Sequence, residues 1–291
     1  MRFAILRRVI RRRFIDWFKA AEGWSLPASA MSVVSVSAYL AFRAEGRGDW
    51  TNAALALAMM MLFQAGSSTL SDCSDHLRGV DGPDDPKVTW IYSGLFTVAA
   101  LRRYAAVLLS LGALAGVAIL LRGALDAAWL GVLGLALGLG YSFLKYRALG
   151  DAAILLAFAL LPAVGVGRVV AGAYLWQTLP VVLPVGLITL SIVHANNWRD
   201  MASDRAAGIR TLPMLVGERL SAAIYAAEVL LPYALVIAYV FVEFLPRTAL
   251  ASLLTLPLAV RNLRLPLAVR DRASALLQLC FGVVYSVSML V

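Results

Sequence analysis

Two groups of carboxylates carry the chemistry this sequence offers. Asp72, Asp75, Asp81, Asp84 and Asp85 crowd into the stretch 64–86, QAGSSTLSDCSDHLRGVDGPDDP, in a chain only 15% charged and 61% hydrophobic. Asp200 and Asp204 stand in a second stretch, 196–217, NNWRDMASDRAAGIRTLPMLVG, together with Arg199, Arg205 and Arg210. The i, i+3 spacing of Asp72 and Asp75 and the i, i+4 spacing of Asp200 and Asp204 set each pair on one face of a helix. Carboxylates beside hydrocarbon are costly unless they pair, face water or hold a cation. Solvated loop charges or helix caps would account for one such group, but two on the same side of a membrane are harder to dismiss. Paired acids of this kind suit Mg²⁺, which takes oxygen ligands and bridges one or two carboxylates to substrate phosphates. Nearby cations can then stabilise a departing diphosphate.

The elements that must position these acids are membrane helices. A mean hydropathy of +0.80 over the chain and recurrent apolar runs exclude a soluble domain. Spans are expected at Leu26–Phe42, Trp50–Leu70, Val98–Leu121, Ala127–Leu144, Ala152–Ala171, Leu179–His194, Leu220–Val242, Leu245–Val260 and Ala273–Val291. The fold class is therefore all-α and polytopic, with about nine helices each near the ~20 residues a bilayer core requires. With the N-terminus inside, 26 Lys and Arg distribute so that only Arg43, Arg47, Arg122, Arg168 and Arg247 fall outside. The positive-inside rule then puts both acidic stretches in the cytoplasm and the C-terminus outside.

Residues 1–24 alternate basic and apolar positions and lack a long apolar core or a small-residue cleavage site, so they read as an amphipathic cytoplasmic segment and not as a signal peptide. Residues 25–291 form the transmembrane domain. The net charge of +9 sits in short segments between spans, without a basic face interleaved with aromatics, which argues against nucleic acid. Cys73 and Cys280 imply no disulfide framework.

The motifs resemble those of the UbiA superfamily of intramembrane prenyltransferases, most closely its menaquinone-pathway branch, the 1,4-dihydroxy-2-naphthoate polyprenyltransferases. The first motif is carried by Gln64, Gly66, Ser68, Ser71, Asp72, Asp75, Gly79 and Asp81, with Ser68 and Ser71 where the pattern has asparagine. Asn196, Asn197, Arg199, Asp200, Asp204, Gly208 and Thr211 carry the second. Tyr141 and the run 145–151, KYRALGD, resemble a third segment, and Leu26-Pro27-Ala28-Ser29 resembles the opening of the first helix, with Glu22-Gly23 where the family has Arg-Pro.

The resemblance implies a central cavity under a cytoplasmic cap formed by the two acidic motifs. It implies a Mg²⁺ cofactor held by Asp72, Asp75 and Asp81 on one side and by Asp200 and Asp204 on the other, with Asp72, Asp75, Asp200 and Asp204 catalytic. Ser68, Ser71, Tyr141, Lys145, Asn196, Asn197, Arg199 and Arg210 would contact the substrates, a polyprenyl diphosphate and an aromatic acceptor. The bilayer would be that of a bacterial or archaeal inner membrane.

Other residues invite weighing. His76 reads as solvated, and His194 either as a base toward an acceptor hydroxyl or as a helix-end histidine. Tyr141 can face an allylic cation through its ring. Met59, Met60 and Met61 read as packing, and Gly134, Gly138 and Gly140 as points of close helix approach. A membrane terpene cyclase shares the diphosphate chemistry without an acceptor. A lipid or cation transporter predicts acids at mid-membrane instead, and a catalytically silent lipid-binding relative is the remaining alternative.

Overall fold

A computed structural model of the chain describes residues 15–44, 46–79 and 89–291. Asp81, Asp84, Asp85 and most of the amphipathic N-terminal segment lie outside the described residues.

Among the described residues no β-strand forms; the chain is a bundle of helices. Helix α1 covers Pro27–Arg43, with proline in its first turn, where a missing N–H costs nothing. Helix α2 runs Trp50–Leu77 and starts at Asp49, whose carboxylate accepts from the Asn52 N–H at 3.0 Å. Helix α3, Val98–Ile119, is capped by Thr97, and α4 is Ala128–Lys145. Between them Gly123 takes φ 108, a left-handed backbone that glycine adopts without steric cost.

The register of these three helices decides where the first acidic motif ends up. Gly66 meets Leu109 and the Ala105 carbonyl, Gly112 meets Phe63, and Gly116 meets Met59, so α3 runs antiparallel to α2. Helix α4 then returns parallel to α2 at a nearly constant offset. Arg122 bonds Asn52 at a separation of 70, Ser67 bonds Gly138 at 71, Ser142 bonds Ser71 at 71 and Lys145 bonds Asp75 at 70. Lys145 is thereby delivered opposite Asp75.

Helix α5 spans Gly150–Ala171 and contains a π-helical turn at Leu156–Leu160, where the Ser32 hydroxyl donates to the Phe158 carbonyl. Helix α6 is Thr178–Arg199, and the short α7, Met201–Ala206, follows a break at Asp200. Helix α8, Leu212–Phe241, is bent at Gly217 (φ 78, ψ 168). A 3₁₀ segment Arg247–Thr255 leads into α9, Leu256–Leu263, and α10 is Leu267–Ser288. Helices α1, α6, α8 and α10 share one buried apolar core, which includes Tyr39, Ile188, Tyr225 and Phe281. A second core joins α1, α5 and α6 through Val36, Ala163 and Val182.

Among the described residues six stretches are long and apolar enough to cross a membrane, against the nine expected. One of the six, Val98–Lys145, is the antiparallel pair α3 and α4, so two expected spans are recovered inside it. The expected span Leu245–Val260 is instead a 3₁₀ segment and a short helix. The expected Ala273–Val291 corresponds to α10, where Arg270, Asp271, Arg272 and Gln278 dilute the hydropathy. A second correction concerns the acidic stretches. Helix α2 continues to Leu77 and α6 to Arg199, so Asp72, Asp75, Asn196 and Asn197 are helical residues, not loop residues. Hydropathy falls at the bilayer edge, whereas backbone hydrogen bonding carries a helix on into water.

Candidate active site

The first acidic motif opens onto a chamber of about 160 Å³ lined by both polar and apolar side chains. Helix α2 contributes Gln64, Ser68, Ser71, Asp72 and Asp75 to its lining, α4 contributes Tyr141 and Lys145, and α6 contributes Asn196. Gln64 fixes the chamber's roof to the start of α1: its carboxamide accepts from the Ser29 N–H at 3.2 Å and donates to the Ser25 carbonyl at 2.8 Å. Asp75 is 4% exposed. Its carboxylate accepts from Lys145 Nζ at 3.0 Å on one oxygen and from the Tyr146 hydroxyl on the other. Burial, followed by the hydrogen bond to Asp75, pushes the Tyr146 phenol well above its ordinary range and keeps it a donor.

The second motif is built locally. Arg199 grips Asp200 side-on, Nε to Oδ1 at 2.7 Å and an Nη to Oδ2 at 2.8 Å, and also donates to the Asn196 carboxamide. Its remaining Nη reaches Asp271 of α10 at 2.6 Å. The break at Asp200 preserves the helical Asp204 N–H to Asp200 carbonyl bond at 2.9 Å. Asp204 is 2% exposed and close enough to Lys145 to act on its charge. Lys145 therefore joins the two acidic motifs. The loops also join through the backbone, because the Arg210 N–H donates to the Tyr146 carbonyl at 3.3 Å.

Seven expected site residues, Ser68, Ser71, Asp72, Asp75, Tyr141, Lys145 and Asn196, thus meet in one chamber. Asn197 is buried behind its wall, and the Arg210 side chain is exposed on the outer surface. His194 is fully buried and outside the chamber lining, which removes it as a base toward an acceptor. Its Nδ1 faces Asp151 at 3.8 Å and Glu228 at 3.9 Å, beyond hydrogen-bond reach. His76 stands edge-on to Tyr92. Sequence reasoning missed Asp271 and Glu228; for Glu228 the available signal was a lone acid inside an otherwise apolar stretch of helix.

A second cavity of about 290 Å³ adjoins the first and is almost wholly apolar. Met60, Phe63, Gly134 and Ala157 line both. Nothing lies within 4 Å of a Cβ built at Gly134, so this glycine leaves open space at the junction where close helix approach was expected. Gly138 does lie against Ser67. Beyond Asp72 a third cleft opens, sharing Glu22, Trp24 and Asp72 with the chamber and reaching Arg199 and Asp271.

The donors on offer to a metal ion are carboxylate oxygens in two pairs. Among the described residues no three His, Cys, Asp or Glu side chains converge into a protein-only cage. That set fits a hard cation that completes its shell with water and substrate phosphate. The ammonium on Asp75 and the guanidinium on Asp200 supply positive charge to both pairs.

The profile of the UbiA prenyltransferase family matches residues 31–282. The chain belongs to the UbiA prenyltransferase family. It is accordingly a membrane-integral prenyltransferase. It is 31% identical over 258 residues to UbiA prenyltransferase domain-containing protein 1 of Danio rerio, covering 86% of this chain and 72% of that one. The Homo sapiens protein of the same name is 29% identical over 270 residues, covering 90% and 75%. These matches support the family without deciding its dihydroxynaphthoate branch, and being animal proteins the relatives lend no support to a prokaryotic inner membrane. The fold matches a UbiA homologue from Archaeoglobus fulgidus bound to GPP and Mg²⁺ with a TM-score of 0.58 at 16% identity, covering 94% of this chain and 99% of that one. It also matches an apo UbiA homologue from Aeropyrum pernix K1 with a TM-score of 0.59 at 18% identity, covering 92% and 96%.

Proposed function

We propose that this prenyltransferase moves a polyprenyl group from an isoprenoid diphosphate to an electron-rich aromatic ring of the dihydroxynaphthoate type, as a step in quinone biosynthesis. The observation that carries the reading is the adjacency of two cavities: a chamber lined in part by carboxylates and an apolar cavity share Met60, Phe63, Gly134 and Ala157 in their walls. A charged head joined to a hydrocarbon tail has that shape and that polarity. The A. fulgidus homologue binds GPP and Mg²⁺, which supports the same substrate class here.

In this reading Asp72 and Asp75 with Asp81, and Asp200 with Asp204, would hold Mg²⁺, whose charge would make the diphosphate a better leaving group. Lys145 and Arg199 lie beside those acids and turn toward the phosphates when the substrate arrives. Ser68, Ser71 and Asn196 offer hydroxyl and carboxamide groups to the diphosphate. The allylic C–O bond breaks and the electron pair leaves with the diphosphate. The ring face of Tyr141 stabilises the allylic cation, a ring carbon of the acceptor attacks it, and the ring then loses a proton. The protein's contribution is electrostatic and positional. The architecture completing this picture is nine crossings, with the acidic ends in the cytoplasm under a cap made by the two motif segments.

The test is Asp72→Ala and Asp200→Ala in membranes supplied with radiolabelled prenyl diphosphate and a panel of aromatic acceptors. Each variant is expected to lose diphosphate release by at least about a hundredfold. Unchanged release in both would remove the acids from the chemistry, and release without any acceptor would favour a cyclase.

A further inference from the structure

Asp271 is an acid in the last helix that neither motif contains. It is 3% exposed. Its Oδ1 accepts the Arg272 N–H at 2.8 Å, which fixes the carboxylate, and its Oδ2 takes the Arg199 Nη at 2.6 Å. One residue further back, Arg270 stacks over the rings of Trp198 and Tyr225, at 5.2 and 5.0 Å, so the start of α10 is clamped to the end of α6. Arg199 is thus shared between two carboxylates on different helices.

That sharing bears on what Asp200 can do. Both Asp200 oxygens are taken by one edge of the guanidinium. Asp200 can turn an oxygen to a divalent cation only by giving up part of that grip, and an arginine cannot shed its charge. A guanidinium left without a carboxylate in a site only 24% exposed would be costly. Asp271, on the opposite Nη, removes most of that cost.

We propose that Asp271 is a positioning residue: it retains Arg199 when Asp200 turns to a divalent cation, and so sets how readily the second acidic motif accepts one. This rests on the reading of Asp200 as a metal-holding residue. It predicts a linkage in which Asp271 favours cation binding, while Arg199, held by Asp200, opposes it.

The experiment titrates the full-length protein in detergent with Mn²⁺ as a paramagnetic stand-in for Mg²⁺, reading free Mn²⁺ by electron paramagnetic resonance. Asp271→Asn is expected to weaken Mn²⁺ binding roughly tenfold and Asp271→Glu to restore it. Arg199→Gln is expected to tighten binding, and adding Asp271→Asn to it to change nothing further. An Asp271→Asn protein that binds Mn²⁺ like the wild type overturns the proposal alone, as does an equal loss in the Arg199→Gln background. Wild-type protein that binds no Mn²⁺ overturns the metal reading together with it. Should Asp271→Asn fail to fold, Arg199→Gln decides by itself: weakened binding there overturns the proposal.

Discussion

The two acidic motifs each offer a pair of aspartates at helical spacing, and they are built in opposite ways. Asp75 is neutralised across the bundle, by a lysine and a tyrosine that reach it only because α4 runs parallel to α2 at an offset of 70. Asp200 is neutralised by its chain neighbour, Arg199, which is itself moored to a distant helix. The first site therefore depends on tertiary register. The second depends on a local turn and one long-range tether. The lesson is that an acid's partner can come from packing or from sequence, and only the second kind is visible before the fold is known.

The strongest way to break this contrast is to delete each acid. Asp75→Ala leaves a buried lysine without its carboxylate and is expected to cost about 3–5 kcal/mol of stability as well as activity. Asp200→Ala leaves Arg199 paired with Asp271 and is expected to cost activity with a much smaller stability loss. Thermal unfolding of the two purified variants beside their turnover checks this, and equal destabilisation would erase the distinction.

Next in size is the cavity junction. Gly134→Leu places a side chain in open space and is expected to leave the fold intact while excluding long tails. Turnover with the longest prenyl diphosphates should fall by more than about tenfold, with the shortest spared, and product length by mass spectrometry reads the result.

A smaller effect attaches to Tyr146, and it has a pH signature. Tyr146→Phe removes a hydrogen bond to a charged acceptor, about 1.5–3 kcal/mol. Because the folded phenol titrates above its ordinary value of 10.0, its stabilisation is fully present below pH 10 and is lost as pH rises through the folded value. The stability gap between wild type and Tyr146→Phe should therefore narrow only in strong alkali, as followed by denaturant unfolding. Smallest is Ser67→Ala, which loses the 2.7 Å bond to the Gly138 carbonyl and with it about 1 kcal/mol or less of the α2–α4 register, read as a modest drop in melting temperature.

Much of this was legible in the sequence. Apolar runs located most of the helices, the polar break between α3 and α4 marked a reversal, and residue type and spacing picked out seven residues of the chamber. The helix ends were not legible, because hydropathy reports the bilayer edge and α2 and α6 outrun it by about a turn or more. The Asp75–Lys145 pair was not legible either, since it follows from how Gly66 and Gly112 let α3 seat against α2. Asp271 was passed over beside Arg270 and Arg272, where it reads as one more interfacial charge; only the fold shows that it faces inward.

Gly134 lines both the chamber that holds the carboxylates and the apolar cavity. Under the proposed function, bond breaking belongs to one side of it and the reading of tail length to the other, with four lining residues in common. Product size can then drift by single substitutions during descent while the reacting centre stays under unchanged selection. A lineage with this partition is free to diversify its products without re-inventing its chemistry.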